Sequence, residues 1–479
     1  MTRPPQAGSS GAPPRFVTGS ILRHVVVMAL TGAIGLVAVF AVDLLNFFYL
    51  SRLGDKAVAA AVGFAGAIGF FQISIAIGLT IGIGATVSAA IGRQRIGEAP
   101  RIATISLIAM ALITLALGLG TAAARLPLLV LLHAQGETKS LAALYLLITS
   151  PSLPLMALAM TSAALLRSAG AARGAMNVTL FGAVAVAMMD PIFIFALHLN
   201  LEGAAISTVL GRCLMVAVGL WQVRRQGLLG RPDLSQAAAD LRAVGQVAVP
   251  AILTNLATPV GSAYVTHSMA KFGVAAVAGQ AAIDRIVPVA FGVIFALTGA
   301  VGPIMAQNLG AGRTDRVRDA LRASLLFMLA AVLIAWGLLA LVQNLLAIAF
   351  SSHGIAAELL HLFCSYVAGS AIFLGALFVG NAAFNNLGRP GYATALNWGR
   401  ATLGTIPFVY VGARFGPAGV LIGQSAGSVL FGLAAVILAF RVTAHLHRRA
   451  AGERPTPIIA VPGGRNVASP LEDAIRERD

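Results

Sequence analysis

Charge is what this sequence has least of. Only 10% of its 479 residues are charged, against 58% hydrophobic, and its mean hydropathy is +0.88. A soluble domain of this length needs far more polar material for its surface, so a polytopic membrane protein is implied instead. Cysteine is nearly absent: Cys213 and Cys364 are the only two. Both fall in expected spans, which argues against a disulfide framework or a cysteine-built metal cluster. His-Glu-x-x-His and a Gly-x-Asp with an acidic partner are missing, and the one Gly-x-Ser-x-Gly string, Gly423 to Gly427, lies inside an apolar run with no strand before it to make a nucleophile elbow, so an intramembrane enzyme lacks its residues. There is no nucleotide-binding loop, so ATP is not the direct energy source. The segment Met1 to Gly19 has no short apolar core and no small-residue cleavage site, and the first helix is expected to stay as an anchor. The net charge of +16 is no nucleic-acid signature. Its basic residues lie in short loops between apolar runs, as in an inner-membrane protein facing anionic lipid.

What the chain has in abundance is apolar runs of spanning length, about 20 residues each. Twelve are expected, at 21–50, 57–91, 99–124, 140–166, 174–198, 203–223, 243–270, 274–308, 321–349, 357–387, 391–413 and 417–441. The runs are continuous and too long for barrel strands, so the fold class is an all-α membrane protein. The second and eighth are overlong and must tilt, bend or protrude. Gly78, Gly82 and Gly84 in one, and Pro288, Gly292 and Pro303 in the other, offer places to bend. With the N-terminus inside, 24 Lys and Arg face the cytoplasm and six face out, which places both termini in the cytoplasm.

The chain also repeats itself. Leu50 to Ala59 resembles Met269 to Ala278, Ile91-Gly92 resembles Leu309-Gly310, Gly170 matches Gly388, and Pro191 matches Pro407, at shifts of 216 to 219. Two six-helix copies in one topology follow: an N-lobe at 21–225 and a C-lobe at 243–447, joined by a polar linker at 226–242. Residues 1–20 and 448–479 are expected to be disordered.

Against that background the stretch Met188 to Phe195 stands out. Asp190 sits in an apolar helix, where an ionisable group costs roughly 2.5–3.5 kcal/mol on insertion scales. Pro191 follows it, loosens the carbonyl of Ala187 and serves as a hinge. At the repeat shifts Asp190 corresponds to Ile406, and Asp43 to Ser262. The acids therefore serve something that only the N-lobe does. Asp43 and Asn46 lie three apart on one helix face. Counted from the outer helix ends, Asp43, Asn46, Tyr145, Asp190 and Thr208 share one layer, roughly 9–14 Å deep. Each of them can equally be a polar group that glues helices together, more readily so for Tyr145 and Thr208 than for the acids. The other charges within spans are Arg212, Asp284, Arg285 and Arg400. Arg212, one turn from Thr208, is placed to neutralise an aspartate. Asp284 can line a central cavity or pair with Arg400.

These residues resemble the multidrug and toxic compound extrusion (MATE) transporters, and look closest to their DinF-like branch. The resemblance covers residues 21–447. It rests on Asp43, Leu166-Arg167-Ser168-Ala169-Gly170, Asp190 to Phe195, Gly203 to Thr208, and Gln307 to Gly312 in that order. It implies two six-helix bundles around a V-shaped central cleft, and export of amphipathic, often cationic compounds against H⁺ or Na⁺. Asp43, Asn46, Tyr145, Asp190 and Thr208 would take the coupling cation, with Asp284, Arg212 and Arg400 as cleft residues. No cofactor is implied, and the partners would be small amphipathic molecules and membrane lipids around a monomer. Val186, Met160, Ala163 and Thr258 stand where the family carries Asn or an acid, which favours H⁺. A flippase of lipid-linked oligosaccharide or peptidoglycan precursors, from the same superfamily, is the alternative. Its cationic cleft would draw on Arg212, Arg285 and Arg400.

Overall fold

A computed structural model describes residues 14–52, 56–95, 97–350 and 352–452. Among them there are no strands and seventeen α-helices. The first half holds α1 (Ile21–Arg52), α2 (Lys56–Arg93), α3 (Glu98–Ala123), α4 (Arg125–Leu131), α5 (Gly136–Thr149), α6 (Leu153–Ser168), α7 (Ala172–Pro191) and α8 (Asn200–Arg225). The second holds α9 (Leu234–Ala270), α10 (Val274–Ala290), α11 (Gly292–Gly310), α12 (Thr314–Ala349), α13 (Ile355–Ser365), α14 (Ala371–Asn386), α15 (Pro390–Ala401), α16 (Ile406–Gly412) and α17 (Gly416–Ala450).

Eleven helical stretches are long and apolar enough to cross a membrane. The longest, Pro390–Ala450, has 61 residues and is interrupted at Thr402–Thr405 and Ala413–Phe415, so it carries two spans. Twelve spans result, six to a lobe. Large apolar side chains point outward along them. On α12, Leu338, Leu341, Leu345 and Ile348 are all more than half exposed, a face that only lipid satisfies.

The repeat is written into the backbone. Left-handed residues recur 218 positions apart as Gln94 and Gly312, Gly136 and Gly354, Gly170 and Gly388, and His198 and Gly416. The fourth span of each half breaks at a 3₁₀ turn, Ser150–Ser152 in one and Val367–Ser370 in the other. Overlong spans find different solutions. The eighth breaks at Phe291, between α10 and α11. The second, α2, is continuous, and its glycines serve packing instead. A Cβ on Gly82 would lie 2.7 Å from that of Ala248 and 2.8 Å from the Val244 carbonyl, so only glycine lets α9 come this near.

The lobes pack along α1, α2, α9 and α11, and at one end of these helices they are also hydrogen-bonded. Gly92 and Gly310 bring α2 and α11 backbone to backbone, and Gln307 Nε2 donates to the Ser168 carbonyl at 2.6 Å. Both ends of the described residues lie here, because α12 receives the segment before α1 at Arg316 and the end of α17 at Thr314. The structure differs from the sequence reading at 14–20, which is packed rather than disordered, and at 448–452, where α17 runs on to Ala450 and a turn follows; 1–13 and 453–479 lie outside the described residues. Phe16 is 1% exposed, its N–H donates to Gln307 Oε1, and its carbonyl accepts from Asn308 and Arg316. Arg15 donates to Gly170 O in the other lobe at 2.8 Å. An apolar ring buried between the lobes is what orders the segment.

In the linker, the loop runs only to Asp233, whose carboxylate caps α9 by accepting from the Ser235 N–H. The Ser235 bonds hold this exposed carboxyl below the usual carboxylate range. Further along, Asp240 accepts both Nε and Nη2 of Arg101 at 3.0 Å, joining α3 to α9. Arg101 is 29% exposed and Asp240 only 7%. Removing one partner of a buried pair costs about 3–5 kcal/mol, and partial exposure lowers that to about 2. Asp240→Ala should accordingly lower the melting temperature of the detergent-solubilised protein. The exchange Arg101→Asp with Asp240→Arg should recover part of the loss.

Candidate functional site

Four helices of the first lobe converge on Asp190. It lies one residue before the end of α7 and is 0% exposed. Beyond Pro191 the chain does not stop but widens into a π-helical turn, Ile192–Ala196, closed by Leu197 N–H donating to Ile192 O. Proline removes one helical bond, and a π turn is a common way to absorb the defect at a site. The Asp190 carboxylate accepts from Asn46 Nδ2 of α1 at 3.0 Å and from Ser207 Oγ of α8. No basic side chain among the described residues lies in ion-pair range of it.

Asp43, one turn before Asn46 on α1, is exposed and within electrostatic reach of both Asp190 and Arg212. Arg212, on α8, donates to Thr149 O at 3.0 Å and Ser152 Oγ at 2.6 Å. Those acceptors sit at the break between α5 and α6, where Pro151 has no N–H to offer and helix carbonyls are left over. Tyr145 approaches Thr208 side chain to side chain and also feels Arg212. Thr208 Oγ1 donates to its own helix at Ala204 O. Tyr49 of α1 packs edge-on against Phe195 of the π turn, with ring centroids 5.8 Å apart.

The structure thus brings Asp43, Asn46, Tyr145, Asp190, Thr208 and Arg212 together, with Pro191 beside them. Asp284 and Arg400 lie apart, in the second lobe. Asp284 accepts from Gln280 Nε2 at 2.9 Å and makes no ion pair with Arg400. Sequence reasoning passed over Ser207, although it is one of the two donors on Asp190. A signal for it existed: Gly203, Ser207 and Gly211 recur every four residues along α8. Gly203 faces the Phe193 carbonyl and Gly211 faces Val186, so this small-residue stripe is the face that meets α7. Val186, read as a missing ligand, fills the gap at Gly211.

Two carboxyl groups and one guanidinium in an apolar setting form an unbalanced set. One acid has a counter-charge nearby, and the other has only neutral donors. Such a group can exchange a proton or hold a small cation, because either would supply the charge that the protein withholds.

The chain as a whole is similar to known proteins. A family model described as MatE matches residues 32–192 and 250–411, two stretches that begin 218 positions apart. A FAD transporter of Shewanella oneidensis is 28% identical over 439 residues, covering 89% of this chain and 96% of its own. The multidrug export protein MepA of Staphylococcus aureus is 22% identical over 413 residues, 83% of this chain and 88% of its own. Among solved structures, a variant of the Vibrio cholerae MATE transporter VcmN superposes with a TM-score of 0.84 at 25% identity. The match covers 90% of this chain and 97% of that one.

The contact of α8 with the π turn can be tested by size. A Cβ on Gly203 would sit 2.6 Å from the Phe193 carbonyl oxygen, whereas one on Gly66 meets nothing within 4 Å. Gly203→Ala should cost about 1–3 kcal/mol by overpacking. In a thermal-stability assay Gly66→Ala should leave the protein unchanged or slightly more stable.

Proposed function

Since the chain belongs to the MatE family, whose similar members are transporters and not enzymes, we propose that it is a secondary exporter of amphipathic compounds driven by inward H⁺. In this reading it resides in the inner membrane as a monomer of the DinF-like branch, with both termini in the cytoplasm and no cofactor. The lopsided distribution of Lys and Arg supports that orientation. The end at which Gln307 bonds to Ser168 across the lobes is then the cytoplasmic one.

The observation that carries the reading is the condition of Asp190: buried, ionisable, held by Asn46 and Ser207, and without a salt-bridge partner. An ionised carboxylate only accepts hydrogen bonds, whereas a protonated one must also donate. Ser207 can rotate its hydroxyl and become the acceptor. Asn46 donates to the other carboxylate oxygen and keeps that bond, but on proton uptake the bond loses its charge-assisted strength, which weakens the contact between α1 and α7. The same α1 meets the second lobe at Gly32 against Ala296 and at Phe40 against Phe295. A change of charge at Asp190 thereby reaches the lobe interface through one helix. Coupling then requires cargo affinity to differ between the two states, typically by about 1–3 kcal/mol. Hard cations take several oxygen ligands. The turn before Asp190 offers Val186 instead of an amide, which favours H⁺ over Na⁺.

For the cargo, the similarity to MepA supports amphipathic drugs. The similarity to the FAD transporter supports a second reading, a cargo with anionic groups, and Arg400 in the second lobe favours it.

Transport of ethidium into inverted vesicles, with H⁺ and Na⁺ gradients imposed separately, tests the coupling. The wild type should respond to the H⁺ gradient. Asp190→Asn should reduce uptake to background while membrane abundance is unchanged. Full uptake by that variant would remove Asp190 from the engine.

A further inference from the structure

The second lobe contains its own polar cavity, distinct from the convergence on Asp190. It measures about 170 Å³ and is walled by α10, the Val367–Ser370 turn, α14, α15 and α17. Its lining is apolar except for Gln280, Asp284, Ser370, Arg400 and the Gln424–Ser428 stretch. Two opposite charges share this small space, yet no salt bridge joins them. Asp284 has only the Gln280 amide. Arg400 Nε and Gln280 Oε1 are inaccessible to solvent and have no hydrogen-bond partner.

A donor and an acceptor left unsatisfied in an interior each cost free energy. Opposite charges in one low-dielectric cavity would gain by pairing, so a geometry that keeps them apart leaves room for something between. Neither charge is demanded by the fold: 218 positions earlier, Gly66 and Gly182 stand in their places. Arg400 lies in the last turn of α15, where a cation also complements the helix carbonyls. That role needs neither the cavity nor Asp284. The cavity is smaller than the roughly 300–1,000 Å³ of a drug-sized pocket, so it seats one end of a molecule.

We propose that this cavity is a zwitterion-recognition site, in which Arg400 takes a carboxylate or phosphate of the transported compound and Asp284 takes its cationic group. Gln280 orients Asp284 with its amide and offers its free Oε1 to an N–H of the ligand. The cargo class is then an amphipath that carries both signs of charge near one end. This rests on the exporter reading for the site's purpose, but its own test does not depend on transport.

Rhodamine B, which bears a carboxylate and a delocalised cation, and its ethyl ester, which bears only the cation, form a matched pair of fluorescent probes. Their binding to the full chain in lipid nanodiscs can be followed by fluorescence polarisation. The wild type should prefer the acid. Arg400→Gln should weaken the acid by roughly tenfold or more and leave the ester unchanged. Asp284→Asn should weaken both dyes. On the wild type, butyrate should displace the acid and not the ester, which covers the case in which Arg400→Gln does not fold. An undiminished preference for the acid in Arg400→Gln would overturn the proposal. So would butyrate that displaces both dyes equally or neither. Asp190→Asn should keep the dye preference even where export is lost, so failure of the exporter reading and failure of this site give different results.

Discussion

A carboxyl group enclosed by apolar helices must be held by the protein, because water is not there to hold it. In this chain that requirement falls on Asp190, and much of the first lobe is arranged around meeting it. Ser207 reaches it because Gly203 and Gly211 let α8 lie against α7. Asn46 reaches it because α1 runs alongside both. Pro191 and the π turn set the end of α7, and Tyr49 locks the turn to α1. None of these contacts neutralises the charge, so the site stays electrostatically unfinished.

The two lobes use one backbone plan for different chemistry. Left-handed positions, the 3₁₀ breaks and the helix order recur at a constant interval, while the charges within the spans do not. The first lobe carries Asp43, Asp190 and Arg212; the second carries Asp284 and Arg400. Packing between them relies on absent side chains. Where α2 meets α9 and α11, glycine allows backbones to touch, which is how helices gain van der Waals contact without a hydrophobic driving force in lipid.

Much of this was legible in the sequence. Hydropathy gives the twelve spans, because a helix in lipid must be apolar over a fixed length. The internal repeat gives the two lobes. The cost of burying charge singles out Asp43 and Asp190, and a count of residues from the helix ends puts Tyr145 and Thr208 at their level. What the sequence hides depends on which way a helix face turns. Ser207 was overlooked beside Thr208 because adjacent residues on a helix differ by 100° in direction, and depth alone does not choose between them. The glycines of α2 looked like bends because the partner helix that needs the space lies some 170 residues away in the chain. The stretch 14–20 looked unstructured by composition, and only the tertiary pocket for Phe16 orders it.

That last feature has a practical side. An aromatic ring of some 150–250 Å² is lodged where the lobes close, with its backbone bonded to one lobe and its neighbour Arg15 bonded to the other. The short segment before α1 is therefore part of the seam itself. Trimming that ring to alanine would loosen the seam while leaving every spanning helix its own sequence.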